Sequence, residues 1–449
     1  MSFESILVAN RGEIALRAIE ACRELGIRSV VVYSEADAEM PYRKLADASV
    51  CIGPAAPAKS YLNIASIISA ADLIGIDAIH PGYGFLAENP HFVEVCEDHD
   101  ITFIGPRQRT MELLGDKVAA REAVMGAGVP VLPGGPAPED ADTLISRAAE
   151  IGYPVLIKSV YGGGGRGMRW IEEESELVAA TSAAAAEAKG ASGDASLYLE
   201  KAIPEPRHIE VQVFADETGR VVHLGERECS IQRRHQKLIE ESPAPNLRED
   251  VRQRLHQAAL TAAQAVGYRN AGTVEFILDG DETFYFIEMN ARIQVEHSVS
   301  EVVTGTNLIK EQIRIAQGEE LSWTQEDVRI DGHAIECRLN AEDPTRGFLP
   351  STGTVTLDEL PGGNGIRLDT ILYQGMPVTP FYDSLLAKLI GWGETREEAI
   401  ARTAMALQRF RVSGISSTRD IALEIVRHPV FARGEQTTRF IDRFLSDIA

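Results

Sequence analysis

From Glu288 to His297 the chain reads Glu-Met-Asn-Ala-Arg-Ile-Gln-Val-Glu-His, so that Glu288, Asn290, Arg292, Gln294 and Glu296 alternate with Met289, Ala291, Ile293 and Val295. Where such a run is extended, successive side chains point to opposite faces, which gathers the polar groups on one face and the apolar ones on the other. A half-buried strand with a wet outer face gives the same alternation, but wet faces are usually built from Lys, Thr and Ser. Carboxylates, an amide and a guanidinium, with Arg292 bracketed by Glu288 and Glu296, are instead an inventory for metal and oxyanion chemistry.

A second carboxylate falls near this run. The segments Thr273–Leu278 and Thr283–Met289 flank Asp279-Gly280-Asp281-Glu282, a hairpin signal. With a four-residue loop, Gly280 to Thr283, Asp279 pairs with Phe284 and Glu275 falls opposite Glu288; a two-residue Asp279-Gly280 turn would oppose Glu275 to Phe284. Facing carboxylates destabilise a strand pair by roughly a few tenths of a kcal/mol or more, and a cation between them removes that penalty. Glu275, Glu288 and Asn290 offer only oxygen ligands, which favours Mg²⁺ or Mn²⁺ bridging phosphates over zinc.

Four further groups can do chemistry. Gly162-Gly163-Gly164-Gly165-Arg166-Gly167 follows a strand ending in Lys158. Glycines let backbone N–H groups approach phosphate oxygens, and Lys158 adds a cation. The Gly-Lys-Ser/Thr of a P-loop is absent, so a flap over a nucleotide is favoured, with a plain hairpin loop as the alternative. Arg233-Arg234-His235-Gln236-Lys237 is the densest basic cluster, either balancing a bound polyanion or forming a solvated face. His208 is a phosphate contact or a satisfied histidine. Arg292 and Arg338 have the planar fork that captures a carboxylate, carbonate or phosphate. Glu296 beside them can serve as a general base, or close a structural salt bridge.

These groups need elements to position them. Ile6–Ala9 and Val30–Tyr33 read as parallel strands joined by a helix whose apolar stripe is Ile14, Ala15, Ala18, Ile19, Cys22 and Leu25. Asn10-Arg11-Gly12 replaces Gly-x-Gly-x-x-Gly, which disfavours a dehydrogenase. Further strands at Ala78–His80 and Ile101–Ile104 complete a first α/β unit ending near Gly105-Pro106. A helical segment runs to about Ala127. After the Pro130–Pro136 boundary come a helix opening at Asp140, strands Val155–Lys158 and Leu197–Lys201, and an alanine-rich helix, Glu176–Lys189. Beyond His208 strands dominate, at Ile209–Phe214, Arg220–Leu224 and the hairpin. Helices at about Glu249–Val266, Leu308–Gln317 and Arg396–Phe410 cover that sheet.

The length of 449 residues implies two to four domains. A net charge of −23 and pI of about 4.9 argue against nucleic-acid or anionic-membrane partners, so anionic substrates must be held by local cationic clusters. The most apolar long stretch, Ile64 to Ile76, is broken by Asp72, which leaves no membrane span. No signal or presequence fits the amino terminus. Five separated cysteines, with no Cys-x-x-Cys pair, suit reduced thiols in a cytoplasm.

Asn10-Arg11-Gly12-Glu13-Ile14-Ala15, His80-Pro81-Gly82-Tyr83-Gly84-Phe85-Leu86, the Gly162–Met168 loop, Gln232–Lys237 and Glu288–His297 together resemble biotin carboxylase of the ATP-grasp superfamily, in order and over essentially the whole chain. The resemblance implies an α/β fold, α+β in its carboxy-terminal part: a Rossmann-like α/β domain over 1–105, a helical linker over 106–130, an ATP-grasp lid over 131–203 and a large carboxy-terminal domain over 204–449. It implies that Lys117, Lys158, Gly164, Gly165, Glu200, Lys201, Ile203, His208, Gln232, His235 and Leu278 contact ATP, and that Glu275, Glu288 and Asn290 hold Mg²⁺ or Mn²⁺. Bicarbonate would sit on Arg292, Gln294, Val295 and Glu296 with Lys237 nearby, Glu296 as base, Arg338 stabilising the biotin enolate and Tyr83 in the biotin pocket. In this class biotin is attached at Met-Lys, and no methionine here precedes a lysine. The expected partners are therefore a separate biotin carboxyl carrier protein and a carboxyltransferase, with acetyl-CoA the expected acceptor. Arg17 and Glu24 match contact positions of a homodimer, whereas Asn364 replaces an aromatic there. Ala87, Glu228, Ala291 and Asn307 also depart from the family pattern without removing a catalytic group. The competing readings are another ATP-grasp carboxylate ligase and a non-catalytic paralogue that assembles a carboxylase.

Overall fold

The computed structural model describes residues 2–160 and 168–448. Its first elements are β1 (Ser5–Val8), α1 (Gly12–Leu25) and β2 (Arg28–Tyr33). The expected stripe Ile14, Ala15, Ala18, Ile19 and Cys22 is buried, and α1 stops at Gly26, whose φ of 71° suits a residue without Cβ. With β3 (Ala48–Cys51), α2 (Ile64–Ile74), β4 (Ala78–His80), α3 (Pro90–Asp98) and β5 (Thr102–Phe103), the chain forms a parallel sheet of order β3-β2-β1-β4-β5. Ile6 and Val8 enter one hydrophobic core while Leu7 and Ala9 enter another. Burial on both faces is why these strands read as unbroken apolar runs. The sequence pattern did not mark α3, a short helix capped by the Asn89 side chain, which accepts from Phe92 N at 3.0 Å.

α4 (Gln108–Gly115) and α5 (Lys117–Gly126) follow. The Asp116 side chain accepts from Val118 N and Ala119 N, which caps α5 and fixes Lys117 at its first position. Next come β6 (Gly134–Pro136), α6 (Ala141–Ile151), β7 (Val155–Ser159), β8 (Arg169–Ile171), α7 (Glu174–Ser192) and β9 (Leu197–Lys201), an antiparallel sheet of order β6-β9-β7-β8 backed by two helices. This unit has its own core of Leu144, Val155, Ile157, Ile171, Leu177 and Leu199.

The third sheet carries the chemistry. β10 (Arg207–Ala215), β11 (Val221–Arg233), β12 (Gln236–Ser242), β13 (Asn270–Leu278), β14 (Phe284–Asn290), β15 (His333–Asn340), β16 (Ile366–Thr370) and β17 (Leu385–Gly393) pair antiparallel in the order β14-β13-β10-β11-β12-β15-β17-β16. α8 (Glu249–Ala265), α9 (His297–Thr304), α10 (Leu308–Ala316) and α11 (Arg396–Arg409) accompany it. On β10, Ile209, Val211 and Val213 enter the hydrophobic core. The alternate Glu210 and Gln212 are equally buried rather than wet, and both accept from the buried Arg227. β11 extends well past the expected Arg220–Leu224; its far half carries Glu226, Arg227 and Glu228, and that charge hid the strand. The fold is thus mixed α/β, parallel in its amino-terminal sheet and antiparallel elsewhere. No helix among the described residues is long and apolar enough to cross a membrane, and all five cysteines are unpaired.

Candidate active site

Glu275 does face Glu288, though by a different route from the one expected. The loop holds five residues, 279–283, because Leu278 rather than Asp279 pairs with Phe284. A bulge then passes over Ile287 and restores the opposition of Glu275 to Glu288. Two displacements of one residue cancel. The pair is electrostatically split. Burial and the Glu275 charge push the Glu288 carboxyl up. Burial acts the same way on Glu275, but Lys237 and His208 overcome it and hold Glu275 well below the usual carboxylate range. His208 Nε2 lies 3.0 Å from Glu275 Oε2, and Gln232 Nε2 is 3.3 Å from His208 Nδ1. Asn290 Nδ2 and Gln294 Nε2 donate to Glu275 Oε1 at 3.0 and 2.8 Å.

The basic cluster does not act as one patch. Arg234 and His235, with φ of 48° and 65°, make the exposed two-residue turn between β11 and β12. Arg233 lies over the Phe348 ring at 4.1 Å. Lys237 turns inward to the buried acids, because of the strand alternation on β12. Its Nζ reaches Glu210 at 2.5 Å, Glu296 at 2.6 Å and Glu275 at 3.1 Å. Burial alone would lower this ammonium, and the carboxylates raise it well above the ordinary lysine value.

The alternating run is a strand only through Asn290. Beyond it Glu88 intervenes: its Oε1 accepts the Ala291 N–H at 3.0 Å, taking a bond that a strand ladder would use, and its Oε2 accepts from Arg292 Nε at 2.9 Å. The chain turns, and His297 opens α9. Arg292 and Glu296 therefore do not continue the face of Glu288. Tertiary folding still returns Glu296 to the site, where it accepts from Lys237 at 2.6 Å and from Arg338 Nη2 at 2.8 Å. Burial opposes the charge on Glu296, yet Lys237, Arg338 and Arg227 hold its carboxyl far below the ordinary range. Arg338 also binds Glu240, at 2.6 Å through Nε; burial pushes the Glu240 carboxyl up to about 7.

Sequence reasoning missed Glu88, Glu210, Arg227 and Glu240. Arg227 has no exposed surface and holds the site from beneath. It donates to Glu210 at 2.6 Å, Gln212 at 2.8 Å, Gln294 at 2.8 Å, Ser300 at 3.0 Å and Thr273 at 3.2 Å. The available signal was Glu210 and Gln212 alternating with Ile209 and Val211 beside a strand rich in charge. Arg227→Lys keeps the charge but loses the fork that serves Glu210 and Gln294 together. With the bicarbonate and ATP that the resemblance implies as substrates, it is expected to lower kcat/KM for bicarbonate about tenfold, or about 1.4 kcal/mol, with KM for ATP unchanged. Steady-state kinetics in each substrate check this, and equal losses in both would refute it.

In the small sheet, Lys158 Nζ lies 2.5 Å from Glu200 Oε1. Lys117 is lowered by burial and feels the charges of Glu288, Lys158 and Glu200, which places it between small sheet and body. Lys201 turns the other way, donating to Gly152 O at 2.9 Å and Tyr153 O at 2.8 Å, so its ammonium is engaged with backbone. Leu278 is buried where β13 meets the hairpin loop, and Ile203 is half-buried. Gly164 and Gly165 lie outside the described residues.

Tyr83 is placed by an interlock that explains two of the sequence motifs. Asn10 Nδ2 donates to Pro81 O at 2.7 Å and Tyr83 O at 2.8 Å. Gly82 has φ of 62°, and a Cβ there would meet Asn10 Nδ2 at 2.8 Å. Neither Asn10 nor Gly82 tolerates exchange without moving Tyr83, whose hydroxyl donates to Glu13.

The arrangement thus unites opposed carboxylates, a lysine among three acids and a carboxylate shared by lysine and arginine. Comparison with known proteins agrees over the full length. The biotin carboxylase N-terminal domain family matches residues 2–111, the ATP binding domain family of the carbamoyl-phosphate synthase L chain matches 116–324, and the biotin carboxylase C-terminal domain family matches 336–443. Biotin carboxylase 1 of Bacillus subtilis is 51% identical over 443 residues, 98% of each chain.

The chain belongs to the biotin carboxylase family.

Members of this family are ATP-dependent ligases of ATP-grasp fold. A solved biotin carboxylase–beta-gamma-ATP complex from Campylobacter jejuni is 50% identical with a TM-score of 0.96, covering 98% of this chain and 99% of that one. The biotin carboxylase domain dimer of 2-oxoglutarate carboxylase from Hydrogenobacter thermophilus, solved with MgADP, ADP and bicarbonate, is 48% identical with a TM-score of 0.95, covering 99% and 98%. Two departures from the family pattern have visible consequences here. Asn307 still caps α10, accepting from Lys310 N at 3.1 Å. Glu228 accepts from Arg207 Nε at 2.9 Å. Arg17 Nη2 and Glu24 are engaged within the chain, with Glu301 at 3.2 Å and Lys310 at 2.8 Å.

Proposed function

We propose that this chain carboxylates biotin on a separate carrier protein, using ATP and bicarbonate through carboxyphosphate. The observation that carries the reading is Glu296 held between Lys237 and Arg338, with Lys237 also bonded to Glu275 of the opposed pair. A proton acceptor flanked by two cations stands beside a phosphate-activating set. Glu275, Glu288 and Asn290 fit a hard divalent cation, because it relieves two facing carboxylates, of which Glu288 is pushed up by burial and by the charge of Glu275. Mg²⁺ or Mn²⁺ there supplies neutralisation of phosphate charge.

Lys117, Lys158, Glu200, Lys201, Ile203, His208, Gln232, His235 and Leu278, with Gly164 and Gly165, are assigned to ATP. Arg292, Gln294, Val295 and Glu296 are assigned to bicarbonate. Glu296 is ionised at neutral pH and gains basicity as Lys237 and Arg338 turn toward anionic substrate. It takes the bicarbonate proton, and the bicarbonate oxygen attacks the γ-phosphorus as the bond to ADP breaks. Carboxyphosphate then yields CO₂ and phosphate. Phosphate takes the N1′ proton of biotin, Arg338 stabilises the enolate, and the nitrogen adds to CO₂. Tyr83 lines the biotin pocket.

The same proposal divides the chain at 105, 130 and 203, supported by the separate core of the small sheet. It places the protein in the cytoplasm as a homodimer working with a biotin carboxyl carrier protein and a carboxyltransferase. Acetyl-CoA is the proposed final acceptor. A 2-oxo acid is the second reading, favoured by the 48% identity to a 2-oxoglutarate carboxylase domain.

The test is ADP release by the purified chain with Mg²⁺, ATP, bicarbonate and free biotin. Bicarbonate-dependent release stimulated by biotin is expected. Turnover on an amino acid with an amine, without bicarbonate dependence, would instead identify an amide-forming ligase. Co-purification from native extract then decides the acceptor by the transferase that accompanies the chain.

A further inference from the structure

Lys388, in the middle of β17, has no exposed surface. Its Nζ donates to the carbonyl of Val295 at 3.0 Å and lies 3.3 Å from Glu13 Oε2 and 3.5 Å from Asp369 Oδ2. The other oxygen of Glu13 accepts the Tyr83 hydroxyl. Asp369 is held by Arg367 at 2.8 and 2.7 Å and by Ser298 Oγ at 3.2 Å. One ammonium therefore joins the turn before α9, the first turn of α1 and the sheet formed by β15, β16 and β17.

Packing alone does not call for a charge at this place. Lys388 stands directly opposite Arg338 in the β15–β17 register, and like charges directly opposite destabilise a strand pair. Burying an ammonium is costly unless it is paired. A methionine would fill similar volume without either cost. The two cations are instead kept apart by their acids, Glu240 and Glu296 on Arg338, Glu13 and Asp369 on Lys388.

We propose that Lys388 is a positioning residue for carboxylation, which holds the Val295–Glu296 turn in register with the Tyr83 wall and so fixes the bicarbonate site against the biotin site. It acts through a carbonyl and a carboxylate, and touches neither substrate. The inference rests on the assignment of Val295 and Tyr83 to those substrates. Wild-type carboxylation of free biotin is measured first, so that failure of the assignment shows there and not in the variants.

The experiment compares Lys388→Met, Glu13→Gln, Tyr83→Phe and the Lys388→Met/Tyr83→Phe double variant in the full chain, with ATP, bicarbonate and free biotin varied in turn. Lys388→Met is expected to raise KM for both bicarbonate and biotin by about tenfold, with KM for ATP within about twofold. If Lys388 acts through Glu13 on Tyr83, the two substitutions remove overlapping interactions, and the double variant has a biotin KM within about threefold of Lys388→Met alone. Unchanged bicarbonate and biotin KM in a folded variant would overturn the proposal, as would KM for ATP rising in step or fully multiplicative effects in the double variant. Should Lys388→Met fail to fold, Glu13→Gln decides. It keeps an acceptor for Tyr83 but removes the charge that Lys388 grips, and is expected to raise biotin KM about fivefold without moving bicarbonate KM. An unchanged biotin KM in Glu13→Gln refutes the link.

Discussion

Replacing Lys237 with methionine lowers bicarbonate-dependent turnover by about 10²–10³ and destabilises the fold by about 3 kcal/mol. Both effects come from one geometry. Lys237 Nζ lies within 3.1 Å of Glu210, Glu275 and Glu296, and their charges outweigh burial to hold it protonated. Methionine matches the stem but leaves three buried carboxylates short of a counter-charge, and removing one partner of a buried pair costs more than the pair contributed. Arg227, His208 and Arg338 still serve Glu210, Glu275 and Glu296 respectively, so the protein folds. Denaturant midpoints measure the loss, and its pH dependence reports the cause. In the wild type Glu275 sits well below its ordinary value of 4.5. Its contribution is complete above that value and is lost as pH falls toward the depressed folded-state value. The variant largely lacks that contribution, so the two midpoints converge as pH drops below 4.5. A stability gap constant with pH, or turnover within threefold of wild type, would show that Lys237 is not the counter-charge of these acids.

Glu288→Gln lowers activity without lowering stability. Without nucleotide the substitution removes the repulsion between Glu288 and Glu275, so the melting temperature is equal to or above that of the wild type. Opposed like charges are worth only tenths of a kcal/mol at surfaces, roughly 0.2–1, and somewhat more for a pair buried as this one is. With Mg²⁺ and ATP the same neutral amide is a poor ligand for a hard cation, and turnover falls by about 100-fold or more. Thermal denaturation without ligand and steady-state kinetics with Mg-ATP test the two halves separately. A lowered melting temperature would mean that Glu288 serves the fold. Near-normal kinetics would remove it from the metal set.

What the sequence determined follows from the distance over which each signal acts. The amino-terminal strands and α1 were legible because apolar periodicity is local, and Ile14, Ala18 and Cys22 needed only helical geometry to share a face. The opposition of Glu275 to Glu288 was legible from the hairpin, although the loop length and the bulge over Ile287 were not, and the correct pair emerged because those two displacements cancel. The resemblance, carried by Asn10–Ala15, His80–Leu86, the Gly162–Met168 loop, Gln232–Lys237 and Glu288–His297, reached the family and named Lys237 and Arg338, which meet at Glu296.

Only the tertiary structure decided the rest. Glu88, some 200 residues before Arg292, ends β14 by taking the Ala291 N–H, and no pattern within the run could announce it. In the early motifs Asn10 and Gly82 are explained by contact between segments, Asn10 against Gly82 and Tyr83. The basic cluster around Lys237 divides because a two-residue turn sends alternate side chains to opposite faces. Arg227, Glu210, Glu240 and Lys388 stayed hidden for a common reason. A buried charge is tolerated only when opposite charges from distant strands surround it, and in sequence each looks like one more solvated residue in a chain rich in acids.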